Sequence, residues 1–189
     1  MGNNGSVSGV INLPGKTLSL RYTGQSYFIT TSGGTNYWNP STPYVSAMVG
    51  NPPPASDIIA ISDTSMRTLT FSEPVQNLFL AFVSLNGNGY KFNHDFEIVS
   101  TGRGYWGDGT VVREDLGGNL YELRATSNEP HGVIRFKDPV SSLSWTCNVN
   151  ENWHGFTVGT YNVPEPGSCV VLGGGLMSLL GYALRRKRS

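Results

Sequence analysis

The chain has little charge and almost no cysteine. Charged residues make up 14% of its 189 residues, against about 25% in typical soluble proteins. The two cysteines, Cys147 and Cys169, are too few for a disulfide framework, and Cys169 lies in an apolar segment that holds it away from a folded domain. We therefore expect no intramolecular disulfide, and we expect Cys147 to be a small buried residue at the end of a strand.

The chain also lacks the short motifs that identify many enzymes. It contains no Gly-x-Ser-x-Gly sequence, no glycine-rich phosphate loop and no Cys-x-x-Cys pair. Its three histidines, His94, His131 and His154, have no partner at the spacing of a zinc site. A meeting in space of His94 and Asp95 with Glu129 and His131 stays open as an alternative. No pair of carboxylates stands out as a glycosidase pair, so the chain is predicted to be neither an enzyme nor a metalloprotein.

Before its last residues, the chain has no cluster of cations. Lys and Arg total 13 and Asp and Glu total 13, but four of the cations lie at the C-terminal end, which leaves nine against 13 elsewhere. A mildly acidic domain with scattered cations does not have the basic face that nucleic acid requires. Nucleic acid is therefore excluded as a predicted partner.

The C-terminal end has the pattern of a membrane segment. A proline-rich linker, residues 163–167, precedes an uncharged apolar run, residues 168–184. As a helix this run is roughly 25 Å long, just short of the ~30 Å hydrocarbon core. We predict one transmembrane helix whose basic end faces the cytoplasm, so that residues 1–162 lie outside it. The orienting cations are Arg185, Arg186, Lys187 and Arg188.

The order of these tail elements resembles the PEP-CTERM sorting signal of Gram-negative bacterial envelope proteins. The Pro164-Glu165-Pro166 triplet, the glycine-rich apolar run and the basic end carry the resemblance, which is confined to the tail. It implies that an exosortase-type enzyme processes the chain at the triplet. It also implies that the precursor is held in the inner membrane before it reaches the cell surface or the extracellular space.

One element of that family is missing from the start of the chain. A signal peptide has basic residues followed by about 7 to 15 apolar residues, whereas residues 1–10 are glycine- and asparagine-rich. Three explanations stay open: a start placed too far downstream, a signal already removed, or a protein that is not exported. We favour the first, because a membrane tail without an export signal has no evident use.

The dominant sequence period before the tail is two, which predicts an all-β domain. Apolar and polar residues alternate around Leu69, Phe96, Leu143 and Phe156, and residues 78–83 are apolar on both faces, as in a strand covered on both sides. Residues 31–56 are rich in proline and glycine and predict a long ordered loop or a pair of edge strands. Ten or more short strands favour an antiparallel β-sandwich of jelly-roll type. Further strands are predicted at residues 7–13, 17–22, 27–31, 110–114, 120–125 and 133–136.

Aromatic residues in predicted loops are candidates for glycan binding. Trp38, Trp106 and Trp153 stand in loops near Asn and Asp, and exposed aromatic faces stack on sugar rings while polar groups bind the hydroxyls. Capping of the sandwich ends is the commoner role for such residues. The oxygen-rich turns around Asn88 and Asp108 are weak candidates for Ca²⁺, because they lack a spaced acidic pattern; otherwise no cofactor is predicted.

Together these features predict a non-catalytic, exported surface or matrix protein that acts by adhesion, glycan contact or structural packing, with extracellular polysaccharide as a candidate partner. The alternative is an envelope carbohydrate-active enzyme or lectin-like module on the same fold.

Overall fold

The computed structural model describes residues 3–161, which form an all-β domain of two antiparallel sheets. The predicted linker, transmembrane helix and basic end lie outside the described residues. Within residues 3–161 no helix has the length and apolarity needed to cross a bilayer, and the one helical turn there is a 3₁₀ helix, Thr42–Tyr44. The strands are β1 (Asn3–Leu13), β2 (Lys16–Ser26), β3 (Phe28–Thr30), β4 (Ile58–Ile61), β5 (Arg67–Val75), β6 (Phe79–Val83), β7 (Gly89–Phe92), β8 (Phe96–Gly102), β9 (Gly109–Gly117), β10 (Leu120–Asn128), β11 (His131–Phe136), β12 (Val140–Cys147) and β13 (His154–Gly159).

Successive strands alternate between the two sheets from β4 to β9 and again from β10 to β13. The seven-stranded sheet has the order β1-β2-β5-β12-β7-β10-β9, and the six-stranded sheet has the order β3-β4-β13-β6-β11-β8. Strand pairs are nested, because β4 pairs with β13, β5 with β12, β6 with β11 and β7 with β10. Every strand pairing is therefore antiparallel, and most partners are distant in sequence. The main core lies between the sheets.

Strand β6 is buried on both faces, as its apolar sequence predicted. Leu80 and Phe82 point into the core between the sheets. Phe79, Ala81 and Val83 point the other way, into a second core on the outer face of the six-stranded sheet. The long loop between β3 and β4 forms the far side of this second core and contributes Trp38 and Tyr44. The loop therefore has a packing role, and it contains no strand.

Two strands were missed by the sequence pattern. Strand β4 follows the proline-rich loop, and strand β7 begins at Gly89, which reads as the end of a turn. Both are only four residues long, too short for alternation to be distinguished from chance. Strand β4 pairs with the longer β13, and β7 pairs with the longer β10 and β12. These neighbouring strands set the positions of β4 and β7 in their sheets.

A buried arginine joins β5 to β2 at one end of the seven-stranded sheet. Arg67 is fully buried, and its Nη2 donates to the Oδ1 of Asp63 at 2.7 Å and to the Oε1 of Gln25 at 3.1 Å. Its Nη1 donates to the Ser65 carbonyl at 2.6 Å and lies 3.6 Å from the Cys147 sulfur. The prediction that Cys147 is buried is confirmed, and burial raises the pKa of its thiol to about 12.

Candidate acidic groove

Aromatic side chains from three loops meet at one end of the sandwich. The ring centroids of Trp106 and Trp153 are 4.8 Å apart with planes at 79°. Tyr37 stacks on Trp106 at 5.3 Å and 19° and meets Trp153 edge-on at 5.0 Å. Two of these rings keep large exposed surfaces, because Tyr105 and Trp106 are each 44% exposed. We call Phe28, Tyr37, Tyr105, Trp106 and Trp153 the aromatic cluster.

The turn that carries Tyr105 and Trp106 is held by a close contact with a buried histidine. The Gly104 amide donates to the Gly107 carbonyl at 2.7 Å. A β-carbon at Gly104 would lie 2.2 Å from the Cγ of His131, so only glycine allows the backbone to lie against this ring. His131 is fully buried on β11, and its Nδ1 is 2.9 Å from the Tyr44 hydroxyl oxygen. Burial lowers the pKa of His131 to about 4, so the imidazole is neutral at physiological pH.

Beside the aromatic cluster lies a groove of about 180 Å³ that combines indole rings with carboxylates. Ser84 lies just after β6 with a φ of 60°, and its hydroxyl donates to the Oε2 of Glu129. The Glu129 backbone is fixed in turn, because its amide donates to the Asp108 carbonyl at 3.0 Å. We call this surface the acidic groove; its lining residues are Ser84, Asn86, Trp106, Glu129, Glu151, Asn152 and Trp153.

Glu151 forms a carboxylate contact with a more deeply buried histidine beneath the acidic groove. Its side chain is 12% exposed, and its Oε1 lies 3.2 Å from the Nε2 of the fully buried His154. Burial raises the pKa of Glu151 to about 7, a hydrogen bond from Asn88 lowers it, and the charge of Glu129 raises it further. Glu129 and Glu151 therefore act on each other electrostatically across the acidic groove.

The contact between Glu151 and His154 is close enough for an ion pair but is a neutral contact near pH 6. Burial lowers the pKa of His154 to about 3, and the nearby Arg67 charge lowers it further. Neither Glu151 Oε1 nor His154 Nε2 has a partner at hydrogen-bond geometry. The other ring nitrogen of His154 bonds the hydroxyl of Tyr90. Two buried polar atoms thus face each other at the floor of the acidic groove without a hydrogen bond.

Two of the three tryptophans predicted to bind glycans come together, and the third does not. Trp106 and Trp153 both line the acidic groove. The expectation that Trp38 offers an exposed ring is wrong, because Trp38 is 1% exposed and packs edge-on against Tyr44 at 5.0 Å. Its Nε1 donates to the Asp57 carbonyl at 3.0 Å. The physical reason is that the long loop needs a large apolar side chain to attach it to the outer face of the sheet.

The histidines and the oxygen-rich turns do not converge on a metal site. His131 and His154 contact different tyrosines, and His94 lies beside Asn93 at a separate turn. Asn88 is buried and its Oδ1 accepts from the backbone amides of Gly89, Asn148 and Val149. Within residues 3–161 no group of three or more His, Cys, Asp or Glu side chains is arranged to hold a metal ion.

Several residues of the acidic groove carried no sequence signal. Glu151 and Asn152 directly precede Trp153. A carboxylate and an amide next to a tryptophan were the one sequence feature that could have indicated a binding site here. Ser84 and Glu129 are separated along the chain and meet only because β6 and β11 are neighbours in the six-stranded sheet.

Comparison of the chain with protein-family models, with curated proteins and with solved structures finds no match.

Proposed function

We propose that this chain is an exported, exosortase-sorted surface protein whose β-sandwich binds glycans in the acidic groove without cleaving them. The observation that carries the proposal is the meeting of Trp106 and Trp153 with Glu129 and Glu151 in one groove. Extracellular polysaccharide is the proposed partner of the domain, and exosortase and the inner membrane are the proposed partners of the tail.

The chemistry of the acidic groove suits a sugar better than a flat apolar ligand. Trp106 is 44% exposed and offers an apolar ring surface to the C–H face of a pyranose, and Trp153 packs edge-on against it. Carboxylate, amide and hydroxyl groups beside them accept and donate hydrogen bonds to sugar hydroxyls. Glu129 and Asn152 supply such groups on the same surface.

A glycan-binding measurement with the full chain in detergent tests this proposal. Trp106→Ala and Trp153→Ala should each weaken binding to the best ligand of a glycan array by about tenfold, since an aromatic contact contributes about 0.5–1.5 kcal/mol beyond the buried area and about 1.4 kcal/mol corresponds to tenfold. Tyr161→Ala is the matched control, because Tyr161 is 40% exposed and packs at a tilt against Phe79, and neither residue lines the groove. Absence of binding to every glycan would overturn the proposal.

A second candidate function is cleavage of the bound glycan. The specific observation in its favour is that Glu151, with a pKa raised to about 7 by burial, shares the acidic groove with Glu129. Glycosidases use one protonated carboxylic acid and one carboxylate flanking the scissile bond. Release of reducing ends from an oligosaccharide, abolished by Glu151→Gln, would replace the non-catalytic proposal with this one.

We also assign the sandwich to the jelly-roll type. The support is the nested pairing of β4 with β13, β5 with β12, β6 with β11 and β7 with β10. Alternate pairs fall in opposite sheets, which is the arrangement expected when one long antiparallel hairpin is wrapped into two Greek keys. The hairpin β1–β2 and strands β3, β8 and β9 are additions at the sheet edges.

The proposed localisation rests on the tail and is tested in cells. Deletion of residues 167–189 should release the domain from the inner-membrane fraction, because the apolar run is the proposed anchor. Neutral replacement of Arg185, Arg186, Lys187 and Arg188 should weaken retention, because these cations are proposed to fix orientation. Replacement of Pro164, Glu165 and Pro166 by alanine should block processing but leave the precursor in the membrane. A full-length protein that stays in the cytoplasmic fraction would contradict this proposal.

A further inference from the structure

We infer that the glycan bound in the acidic groove is an amino sugar with a free, positively charged amine. This inference rests on the proposed glycan-binding function and specifies its ligand class. It assigns the ammonium group a position between the carboxyl groups of Glu129 and Glu151, with the sugar ring against the indoles of Trp106 and Trp153.

The charge of the groove is the first support for a cationic ligand. Both ionisable residues in its lining are glutamates, and the rest of the lining is two indoles, two asparagines and one serine. Burial is the main cause of the raised pKa of Glu151, and the charge of Glu129 raises it further, so a second negative charge is unfavourable while the groove is empty. A cation placed between them relieves this repulsion, whereas the carboxylate or sulfate of an acidic polysaccharide would add to it.

The two indole rings are the second support. Trp106 is 44% exposed, and Trp153 stands at 79° to it with ring centroids 4.8 Å apart. Tryptophan faces attract ammonium groups more strongly than any other aromatic side chain. The same faces also accept the apolar side of a sugar ring, so one pair of rings suits both parts of an amino sugar.

The third support is the donor capacity of an ammonium group beside two carboxyl groups. The Oε1 of Glu151 is buried against the Nε2 of His154 at 3.2 Å, so a ligand meets Glu151 and Glu129 only where their side chains line the groove. An ammonium group has three donors and can satisfy Glu129 and Glu151 together. A bare divalent ion suits this place less well, since within the described residues no group of three or more His, Cys, Asp or Glu side chains could hold a metal.

Isothermal titration calorimetry of the full chain in detergent at pH 7 and low salt tests the inference. The probes are a β-1,4-linked glucosamine tetramer, its fully N-acetylated counterpart and a cello-tetraose of the same length. The free-amine tetramer should bind at least tenfold more tightly than either neutral probe, because hydrogen bonds to charged groups are stronger than those between neutral groups.

The variant Glu129→Gln separates charge from shape. It keeps an acceptor for the Ser84 hydroxyl and removes one negative charge, so affinity for the free-amine tetramer should fall about tenfold while affinity for the N-acetylated tetramer changes less than twofold. Glu73→Gln is the matched control, because Glu73 lies on β5 and pairs with Lys16 at 2.7 Å outside the groove; it should change neither affinity.

Each other outcome has a defined meaning. Equal or tighter binding of the neutral tetramers overturns the amino-sugar inference and leaves glycan binding standing. Binding of a tri-lysine peptide as tightly as the free-amine tetramer also overturns it, since the groove would then be a general cation site. If no oligosaccharide of any kind binds, on an array or in solution, the proposed function fails and the inference fails with it.

Discussion

Replacing Glu151 by glutamine tests whether the carboxyl group at the floor of the acidic groove is neutral in the native protein. Burial raises its pKa from an ordinary value of 4.5 to about 7. Between these values the native protein holds a proton that the unfolded chain has lost. The contribution of Glu151 to stability therefore falls as the pH rises from about 4.5 to 7. Glutamine has nearly the shape of the protonated acid and never ionises, so Glu151→Gln removes this loss.

The size of the effect follows from the two pKa values. At about 1.36 kcal/mol per pH unit, the burial penalty reaches at most about 3 kcal/mol once the native carboxyl group is fully ionised, and solvent in the groove lowers it by screening. Relative to the wild type, Glu151→Gln should thus gain about 1–3 kcal/mol of unfolding free energy between pH 4.5 and pH 8. The buried histidines, whose pKa values are lowered, add stability that is lost as the pH falls below about 6.5. For His131 this term is the same in both proteins and cancels in the difference; His154 contacts Glu151, so its term cancels only above about pH 6.5, where the imidazole is neutral in the folded and unfolded states.

Urea unfolding of both proteins at pH 4.5, 6, 7 and 8 measures this difference directly. Glu73→Gln serves as the control, because an exposed pair such as Lys16 with Glu73 contributes little at any pH. A difference between Glu151→Gln and wild type that does not vary with pH would refute the reasoning. A loss of stability in Glu151→Gln at neutral pH would show instead that Glu151 and His154 form a buried ion pair.

Three further substitutions test the packing that positions the groove. Gly104→Ala should weaken glycan binding about tenfold, because its β-carbon would lie 2.2 Å from a buried imidazole and displace the Trp106 turn; Gly9→Ala, whose nearest new contact is an ordinary 3.7 Å, should leave binding unchanged. Phe82→Ala should lower the free energy of unfolding by about 3–5 kcal/mol, since this ring is fully buried between the sheets; a loss below about 1 kcal/mol would contradict that packing. Arg67→Met should cost about 2–4 kcal/mol in urea unfolding, because Asp63 and nearby buried acceptors lose their donor; an unchanged midpoint would show that the buried arginine is dispensable.

The positions of the strands were predictable wherever one face of a strand is buried and the other is exposed to solvent. Strand β12 is an example, because Leu143 and Trp145 are buried and Ser142 is exposed. Strand β6 was also recognisable, since both of its faces are apolar. Strand β7 was not, because a glycine at its start and only four residues give no periodic signal. Its place in the sheet depends on pairing with β10 and β12.

The candidate site was predictable only in part. Trp106 and Trp153 were recognised because they stand in turns, where an apolar ring has no obvious neighbour in the sequence. The same reasoning failed for Trp38, because a loop that crosses the outer face of a sheet buries its largest ring. Tyr37, the residue next to it, joins the aromatic cluster instead. The directions in which neighbouring side chains of an irregular loop point depend on the surface that the loop packs against. The local sequence carries no information about that surface.

The sequence by itself determined the all-β class, because alternation of apolar and polar residues is a local property of each strand. It also determined the low content of charged residues and the apolar composition of residues 168–184, which are properties of composition. Tertiary structure alone decided that Ser84, Glu129 and Glu151 meet beside two indoles, since these residues belong to separate turns that antiparallel pairing brings to one end of the sandwich. Tertiary structure also decided that Glu151 is buried beside His154. Burial changes the protonation of a carboxyl group, and no local sequence pattern encodes burial.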